Sequence, residues 1–245
     1  GGAAYETADN NGISALRARL ISKGTAKRTA EEIATLLESR GARVQFEAQR
    51  DALHGRLECA PEDLEDMLAL LADMVLNSVF PIDELENARR LQLADIRTHN
   101  DEWEREALQN FRRAAYGADP YALPLVGASS VVARITRDDL QHAQLTLLQP
   151  ARIVIAIAGA IDGPAAVAAA ARAFGRLPAP AQPWLPASAP VRIQRDQRTV
   201  FPARRTQATV VLGYPAPRAN QPMYPAAMLL DSYLGGLNGQ LFDVL

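Results

Sequence analysis

Residues 12–25 read GISALRARLISKGT, a segment that begins with Gly12 and ends with a Gly-Thr pair. We predict a helix between these glycines, since glycine commonly marks the ends of helices. A catalytic metal site needs about three protein ligands, an open water position and a nearby carboxylate. Ala15 and Ala18 have no donor atom, and Arg19 would repel a dication with a charge that cannot be titrated away. We therefore expect no metal on this helix.

The following residues predict a helix and then a hairpin. Thr29 and Glu32 form a capping-box pattern at the start of the helix, and Gly41 is its predicted C-cap. Apolar and polar residues then alternate over residues 44–48 and again over residues 53–59, with a short polar turn between them. This alternation predicts an antiparallel β-hairpin.

Prolines mark the next two predicted helices. Pro61 begins a helix whose apolar residues lie on one face. Those residues are Leu64, Leu68, Leu71 and Val75. Pro81 begins a long helix that we expect to continue to about Arg113, with a kink near residues 100–101. The short apolar run 153–158 is typical of a central strand.

We predict two domains joined by a linker. The first covers residues 1–176 and closes with a helix that begins at Asp162. Residues 177–190 are rich in proline and alanine and are interpreted as a semi-rigid linker. The second domain, residues 191–245, has predicted strands at 191–193 and 208–212 and a predicted helix at 224–233.

Together these features resemble the pitrilysin/insulinase family of zinc metallopeptidases, the inverted zincins. In that family the segment that corresponds to residues 12–25 runs Gly-x-x-His-x-x-Glu-His-x-x-x-x-Gly-Thr. When the segments are aligned through their glycines, the zinc-binding histidines fall on Ala15 and Arg19, and the catalytic base falls on Ala18. Other family-like phrases are LADM at 71–74, DPY at 119–121, LVG at 125–127, ITRDDL at 135–140 and LGGLNGQLF at 234–242.

The resemblance also assigns two positions on the long helix. The family's third zinc ligand, a glutamate, falls on Asp95, and a second glutamate that supports catalysis falls on Ala88. Asp95 keeps a carboxylate that is one methylene shorter, and we expect it to pair with Arg19 rather than with a metal. An Asp95/His99 metal edge is the other interpretation of that helix face.

The implied fold is α+β, a two-layer sandwich of a mostly antiparallel sheet covered by helices. This is the fold of mitochondrial processing peptidase, here with one full repeat and part of a second. The chain resembles a piece cut from the non-catalytic, C-terminal half of such a protein, and it is not expected to be an enzyme by itself. That half would form the chamber wall and substrate-binding surface opposite a catalytic half.

The resemblance further implies a catalytic half as partner, on the same chain or on another subunit, with zinc in that half and a peptide as substrate. Gly235, Gly236 and Asn238 are the candidate substrate contacts. The bacterial periplasm is the compartment suggested by resemblance. The alternative is a structural core-type subunit of an assembly such as the respiratory cytochrome complex, without a protease role.

The composition sets limits on function. The net charge is −2, with both signs mixed along the chain, which argues against a nucleic-acid-binding protein because phosphate contact needs a concentrated basic face. No apolar run is long enough to span a membrane. The single cysteine, Cys59, excludes an internal disulfide, and its place in an alternating strand predicts burial as a small apolar residue.

Overall fold

The structure is a computed structural model that describes residues 1–148, 152–175, 196–202 and 208–234. The chain divides into two units, Gly1–Val191 and Arg192–Leu245. The predicted linker 177–190, the predicted strand at 191–193 and the candidate substrate contacts Gly235, Gly236 and Asn238 lie outside the described residues.

Helices make up most of the first unit. They are α1 (Ile13–Leu20), α2 (Ala30–Ser39), α3 (Leu64–Asn77), α4 (Ile82–Asp101), α5 (Trp103–Tyr116), α6 (Ser129–Val132), α7 (Arg137–Leu147) and α8 (Gly163–Phe174). Strands β1 (Arg43–Ala48) and β2 (Leu53–Glu58) pair antiparallel, with Val44 opposite Leu57. In the second unit the described helix is α9 (Tyr224–Leu234).

Several local predictions are confirmed because short-range chemistry determines them. The Thr29 side chain accepts a hydrogen bond from the backbone of Glu32, and the Glu32 side chain accepts one from the backbone of Thr29, so the capping box is complete. Gly41 follows α2 with a positive φ of 56°, as expected for a residue that ends a helix. The Asp162 side chain accepts a hydrogen bond from the backbone of Ala165 and begins α8.

The predicted long helix is two helices. α4 ends at Asp101, Glu102 adopts an extended conformation with φ −82° and ψ 104°, and α5 then runs to Tyr116. The kink expected near residues 100–101 is therefore a complete break. One residue outside the helical region is enough to end the ladder of backbone hydrogen bonds and start a new one.

The sheet is smaller than predicted. Residues 153–158 and residues 208–212 form no strand, and β1 and β2 make up the sheet within the described ranges. A strand is completed by hydrogen bonds to a neighbour, and the described ranges bring no neighbouring strand to either run. The structure thus supports the α+β class and a small antiparallel sheet.

The core of the first unit consists of two clusters, both of which include residues from α1 or the turn that follows it. The first contains Leu16 and Leu20 of α1 with Ala88 and Ile96 of α4. The second contains Ile21, just after α1, with residues of α2 and α3. Cys59 is half-buried and packs against the second cluster. The segment resembling the zinc-protease helix is therefore the centre of the unit.

Within the described ranges, every helix is too short or too polar to cross a membrane.

Candidate functional site

An ion pair joins α1 to α4 at the positions that the family resemblance assigns to zinc ligands. Arg19 Nη2 donates a hydrogen bond to Asp95 Oδ2. The Arg19 side chain is 36% exposed and the Asp95 side chain 45% exposed, so water screens the pair substantially. The pairing expected for Asp95 is confirmed: the carboxylate at the position assigned to a zinc ligand binds a cationic side chain.

The other three positions that the resemblance assigns to the zinc site are alanines, which have no donor atom. Ala15 is half-buried on α1, Ala18 is buried at 7% exposed, and Ala88 belongs to the core cluster between the two helices. Among the described residues no group of three histidine, cysteine, aspartate or glutamate side chains is close enough together to hold a metal ion. The residues present therefore do not fit the zinc of the family, which needs about three donors and an open water position.

His99 does not combine with Asp95 in a metal edge. Its Nδ1 lies 2.8 Å from the backbone oxygen of Asp95, one helical turn away, and its Nε2 lies 2.6 Å from Nη1 of Arg105. An arginine can only donate, so Nε2 is the acceptor and Nδ1 carries the proton that is donated to the backbone. Both ring nitrogens are thus occupied by hydrogen bonds, and the Asp95 carboxylate faces Arg19.

The start of α1 is held by a carboxylate from outside the helix. The side chain of Glu6 accepts hydrogen bonds of 2.8 Å from the backbone nitrogens of Gly12 and Ser14 and from Asn11 Nδ2. Burial raises the pKa of Glu6, and these hydrogen bonds partly oppose the rise. Glu6 therefore satisfies N–H groups that have no partner within the helix.

Gln92 ties α4 to the start of α1. It is fully buried, and its Nε2 donates to the backbone oxygens of Gly12 at 3.0 Å and Val126 at 2.9 Å. Gly12 has φ +100°, and a Cβ there would meet Val132 Cγ2 at 2.7 Å and the Cα of Gly127 at 2.8 Å. Only a glycine at position 12 permits this approach of the two backbones.

The family-like phrases at 24–25 and 71–74 meet at Asp73. Its Oδ2 accepts hydrogen bonds from Thr25 Oγ1 at 2.9 Å and Arg28 Nη1 at 2.7 Å, and its Oδ1 accepts one from Asn77 at 2.8 Å. Partial burial by itself raises the pKa of Asp73, but the hydrogen bonds from Asn77 and Thr25 and the charge of Arg28 outweigh burial and hold this pKa below its ordinary value. This network fixes the turn after α1 against α3.

Arg17 is a residue that sequence reasoning missed. It is 4% exposed, and its Nε and Nη2 donate to Oε1 of Gln144 on α7 at 3.2 and 2.8 Å. Burial lowers its pKa to about 10 although the charge of Glu6 opposes this shift, so Arg17 is protonated at neutral pH. The burial of Arg17 follows from the packing of α1, which is buried on most sides, and an arginine inside a helix does not by itself signal it.

The model of the insulinase family of peptidases, peptidase family M16, matches residues 1–129, slightly more than half of the chain. A second model, the peptidase M16 inactive domain, matches residues 134–245. The chain therefore belongs to this peptidase family. The resemblance inferred from residues 12–25 is confirmed. The boundary between the two matches lies inside the first structural unit.

Named relatives agree with this membership. An uncharacterized zinc protease of Mycobacterium bovis is 29% identical over 227 residues, which cover 91% of this chain and 52% of that protein. Subunit 1 of the mitochondrial cytochrome b-c1 complex of Caenorhabditis elegans is 26% identical over 158 residues, which cover 64% of this chain and 34% of that protein. The chain thus spans about half the length of its curated relatives, or less.

A solved structure shares the fold. The peptidase M16 inactive domain from Pseudomonas fluorescens superposes with a TM-score of 0.79 at 23% identity, over 99% of this chain and 59% of that one. This likeness concerns the fold, and the chemistry of the chain is argued from its own residues.

Proposed function

We propose that the chain is a non-catalytic part of a zinc metalloprotease and that it forms the chamber wall and substrate-binding surface opposite a catalytic half. The observation that carries the proposal is the ion pair between Arg19 and Asp95. It stands at two of the family's three ligand positions, and Ala15 stands at the third. Without donors on α1, this chain has no means of activating a water molecule by zinc.

The match to the inactive-domain model supports the proposal, as does the likeness to a solved inactive domain. Proteins of this family have paired halves, in one chain or as partners. Helices α1 and α4 keep their packing although the zinc ligands of the family are absent from them, as expected for the non-catalytic half. The zinc and the peptide-bond chemistry then belong to the catalytic half, and the peptide substrate lies between the two.

We further propose that the complete sheet is larger than β1 and β2 and forms the two-layer sandwich of the family, with a second repeat that begins at about residue 191. The TM-score of 0.79 over 99% of the chain supports this larger fold. Gly235, Gly236 and Asn238 stay candidate substrate contacts, and the periplasm stays the proposed compartment.

A structural core-type subunit is the alternative function, and it has less support. The match to the cytochrome b-c1 subunit covers 64% of the chain, whereas the match to the mycobacterial zinc protease covers 91% at a slightly higher identity.

The proposal is tested first by metal content and hydrolysis. The chain is soaked in zinc, washed by gel filtration and analysed for metal, and its activity is measured on fluorogenic peptides. We expect far less than one equivalent of zinc and no hydrolysis. Stoichiometric zinc together with hydrolysis that a chelator abolishes would overturn the non-catalytic assignment.

A second experiment tests whether the chain forms the chamber wall opposite a catalytic half. An M16 catalytic half with an intact His-x-x-Glu-His motif, from the same source, is mixed with this chain. We expect a one-to-one complex on gel filtration and a higher kcat/KM on peptides than the catalytic half has alone. No complex, or a complex with unchanged kcat/KM, would contradict the chamber-wall role and favour the structural alternative.

A further inference from the structure

A cavity with mostly apolar walls lies in the first unit between β2, α3 and the segment 152–161. It encloses about 490 Å³, a volume that is typical of small-molecule sites. Its lining includes Leu57 of β2 and Leu71 of α3. Small-molecule sites combine such walls with a few polar groups that fix the orientation of the ligand. Two polar groups that line this cavity are Arg17 and Arg152.

Each of these arginines has a buried nitrogen that is free to donate. Arg17 Nη1 and Arg152 Nε are shielded from solvent, and neither has a hydrogen-bond partner among the described residues. Gln144 accepts hydrogen bonds from the other two nitrogens of Arg17, but a neutral amide does not neutralise a cation. The ring of Tyr5, whose centre lies 5.0 Å from the guanidinium of Arg152, carries no charge either.

The two guanidinium groups act on the same part of the cavity. Gly1 belongs to the cavity lining together with both arginines. Burial, and then the charges of Arg17 and Arg152, lower the pKa of the Gly1 amino group to about 5. Both positive charges therefore reach one position in the cavity, and a single anion bound there would interact with both of them.

The nearby carboxylates have other partners. The charge of Glu6 partly balances that of Arg17, but both oxygens of Glu6 bind the first turn of α1. Glu58 lines the cavity and forms an ion pair with Arg56. Neither carboxylate contacts the two unpartnered arginine nitrogens, so the polar end of the cavity is positively charged.

A larger sheet would not supply the missing anion. Residues 149–161 and 176–191 contain no acidic residue. If the run 153–158 pairs as a strand in the complete sheet, it therefore adds apolar cover to the cavity and no carboxylate. A buried cation that lacks an anionic partner is costly, and better cover raises that cost. The cavity thus favours a ligand that brings its own negative charge.

We propose that this cavity binds a small monocarboxylate with an apolar body. The carboxylate oxygens accept hydrogen bonds from Arg17 Nη1 and Arg152 Nε, and the apolar body contacts the aliphatic walls. The proposal goes beyond the proposed function and does not depend on it, because no zinc, peptide substrate or catalytic half takes part. It holds equally for a part of a protease and for a structural subunit.

Three probes test the proposal on the full chain by isothermal titration calorimetry. Octanoate has both the carboxylate and an apolar body, acetate has the carboxylate alone, and 1-octanol has the apolar body without the charge. We expect one equivalent of octanoate to bind. Acetate should bind at least roughly tenfold more weakly because it buries less apolar surface, and 1-octanol should do so because it makes no hydrogen bond as a charged acceptor.

Variants assign the binding to the two arginines. Arg17→Met keeps an unbranched side chain without the charge, and Arg152→Gln removes the second cation. Each should weaken the binding of octanoate roughly 10- to 100-fold, as expected for the loss of a hydrogen bond to a charged group, and should leave the affinity for 1-octanol unchanged. Arg97→Gln, at an exposed position on α4, is the matched control and should bind octanoate as the parent does. Circular dichroism checks folding, and if Arg17→Met is unfolded, the half-buried Arg152 decides the test.

Three results would overturn the proposal. One is an affinity for 1-octanol equal to that for octanoate, which would mean that the arginines take no part. Another is an affinity for acetate equal to that for octanoate, which would indicate a site for a small anion only. The third is a folded Arg152→Gln protein that binds octanoate as tightly as the parent does.

Discussion

Restoring the ligands on α1 and α4 should restore zinc binding. The variant is Ala15→His, Arg19→His and Asp95→Glu, which puts two histidines one helical turn apart on α1 and a longer carboxylate on α4. Side chains at i and i+4 lie on the same face of a helix, and the contact between Arg19 and Asp95 establishes that this face meets α4. Three ligands and one water complete a tetrahedral zinc site.

The stability of the metal-free variant can be estimated from the contact between Arg19 and Asp95 and from its exposure to solvent. Zinc bonds of about 2.0–2.2 Å place neighbouring ligand atoms roughly 3.3 Å apart, so a shorter histidine and a longer glutamate leave room for the ion between α1 and α4. The ion pair that is lost has both side chains at least 36% exposed, and exposed pairs contribute about 0–1 kcal/mol. The metal-free variant should therefore be within about 1 kcal/mol of the parent in free energy of unfolding.

Ala18→Glu is left out of this variant on purpose. Ala18 is 7% exposed, and a carboxylate at that position would be buried without a partner before the metal binds, at a cost of several kcal/mol. No hydrolysis is expected, because the base is missing and Ala88 lacks the supporting carboxylate.

The assay is urea denaturation with and without zinc. At a free zinc concentration about 100-fold above the dissociation constant, the free energy of unfolding should rise by about 2.7 kcal/mol. The control is the variant with Asp95 retained, in which the shorter carboxylate should weaken binding. If the folded variant gains no stability from zinc and takes up no more metal than the parent, the alignment through Gly12 or the crossing of the two helices is wrong.

Three other predictions concern the free energy of unfolding. Gly12→Ala should lower it by about 2–5 kcal/mol, because of the positive φ and the close backbone contact. Gly41→Ala is the control: Gly41 has a positive φ but no atom near its Cβ, so the loss should be about 1–2 kcal/mol. Equal losses in the two variants would refute the role of the close contact at Gly12. Gln92→Leu should lower the free energy of unfolding in urea by about 2–4 kcal/mol, because the two backbone oxygens bound by Gln92 lose a buried donor. A loss below about 1 kcal/mol would mean that water takes the place of the Gln92 amide. Asp73→Asn should lower the free energy of unfolding by about 1–3 kcal/mol at pH 7. The pKa of Asp73 is below its ordinary value in the folded chain, so the stability that its carboxylate contributes is present above about pH 4 and is lost as the pH falls. The difference in unfolding free energy between parent and variant should therefore shrink between pH 5 and pH 3. A difference that stays constant would count against a role of the charged carboxylate.

The sequence predicted those features that neighbouring residues determine. Thr29 and Glu32 cap α2 through their own backbone and side-chain groups, and the alternation over residues 44–59 is enough to pair β1 with β2. Asp162 acts in the same way at α8. Such patterns need no information from distant parts of the chain.

Features that depend on distant residues were predicted less well. The apolar run 153–158 has the composition of a strand, but composition does not supply a neighbour to pair with. Gln92 and Gln144 look like ordinary surface residues of helices, and only the packing of α1 against α4 and α7 shows that they are buried and bonded. The pairing of Arg19 with Asp95 was predictable because the family alignment had already placed them together.

The binding of Glu6 to the first turn of α1 has a consequence for the order of folding. α1 has eight residues and no acidic residue in its own first turn, and a helix of that length is not stable alone in water. Ala3 and Ala4 donate backbone hydrogen bonds to Gln49 and Arg50 in the hairpin turn. The hairpin therefore holds the segment that carries Glu6, and Glu6 holds the helix. We expect the β1–β2 turn to form before α1 in refolding, so that a proline at position 49 or 50 would slow the appearance of the helix although it lies far from it along the chain.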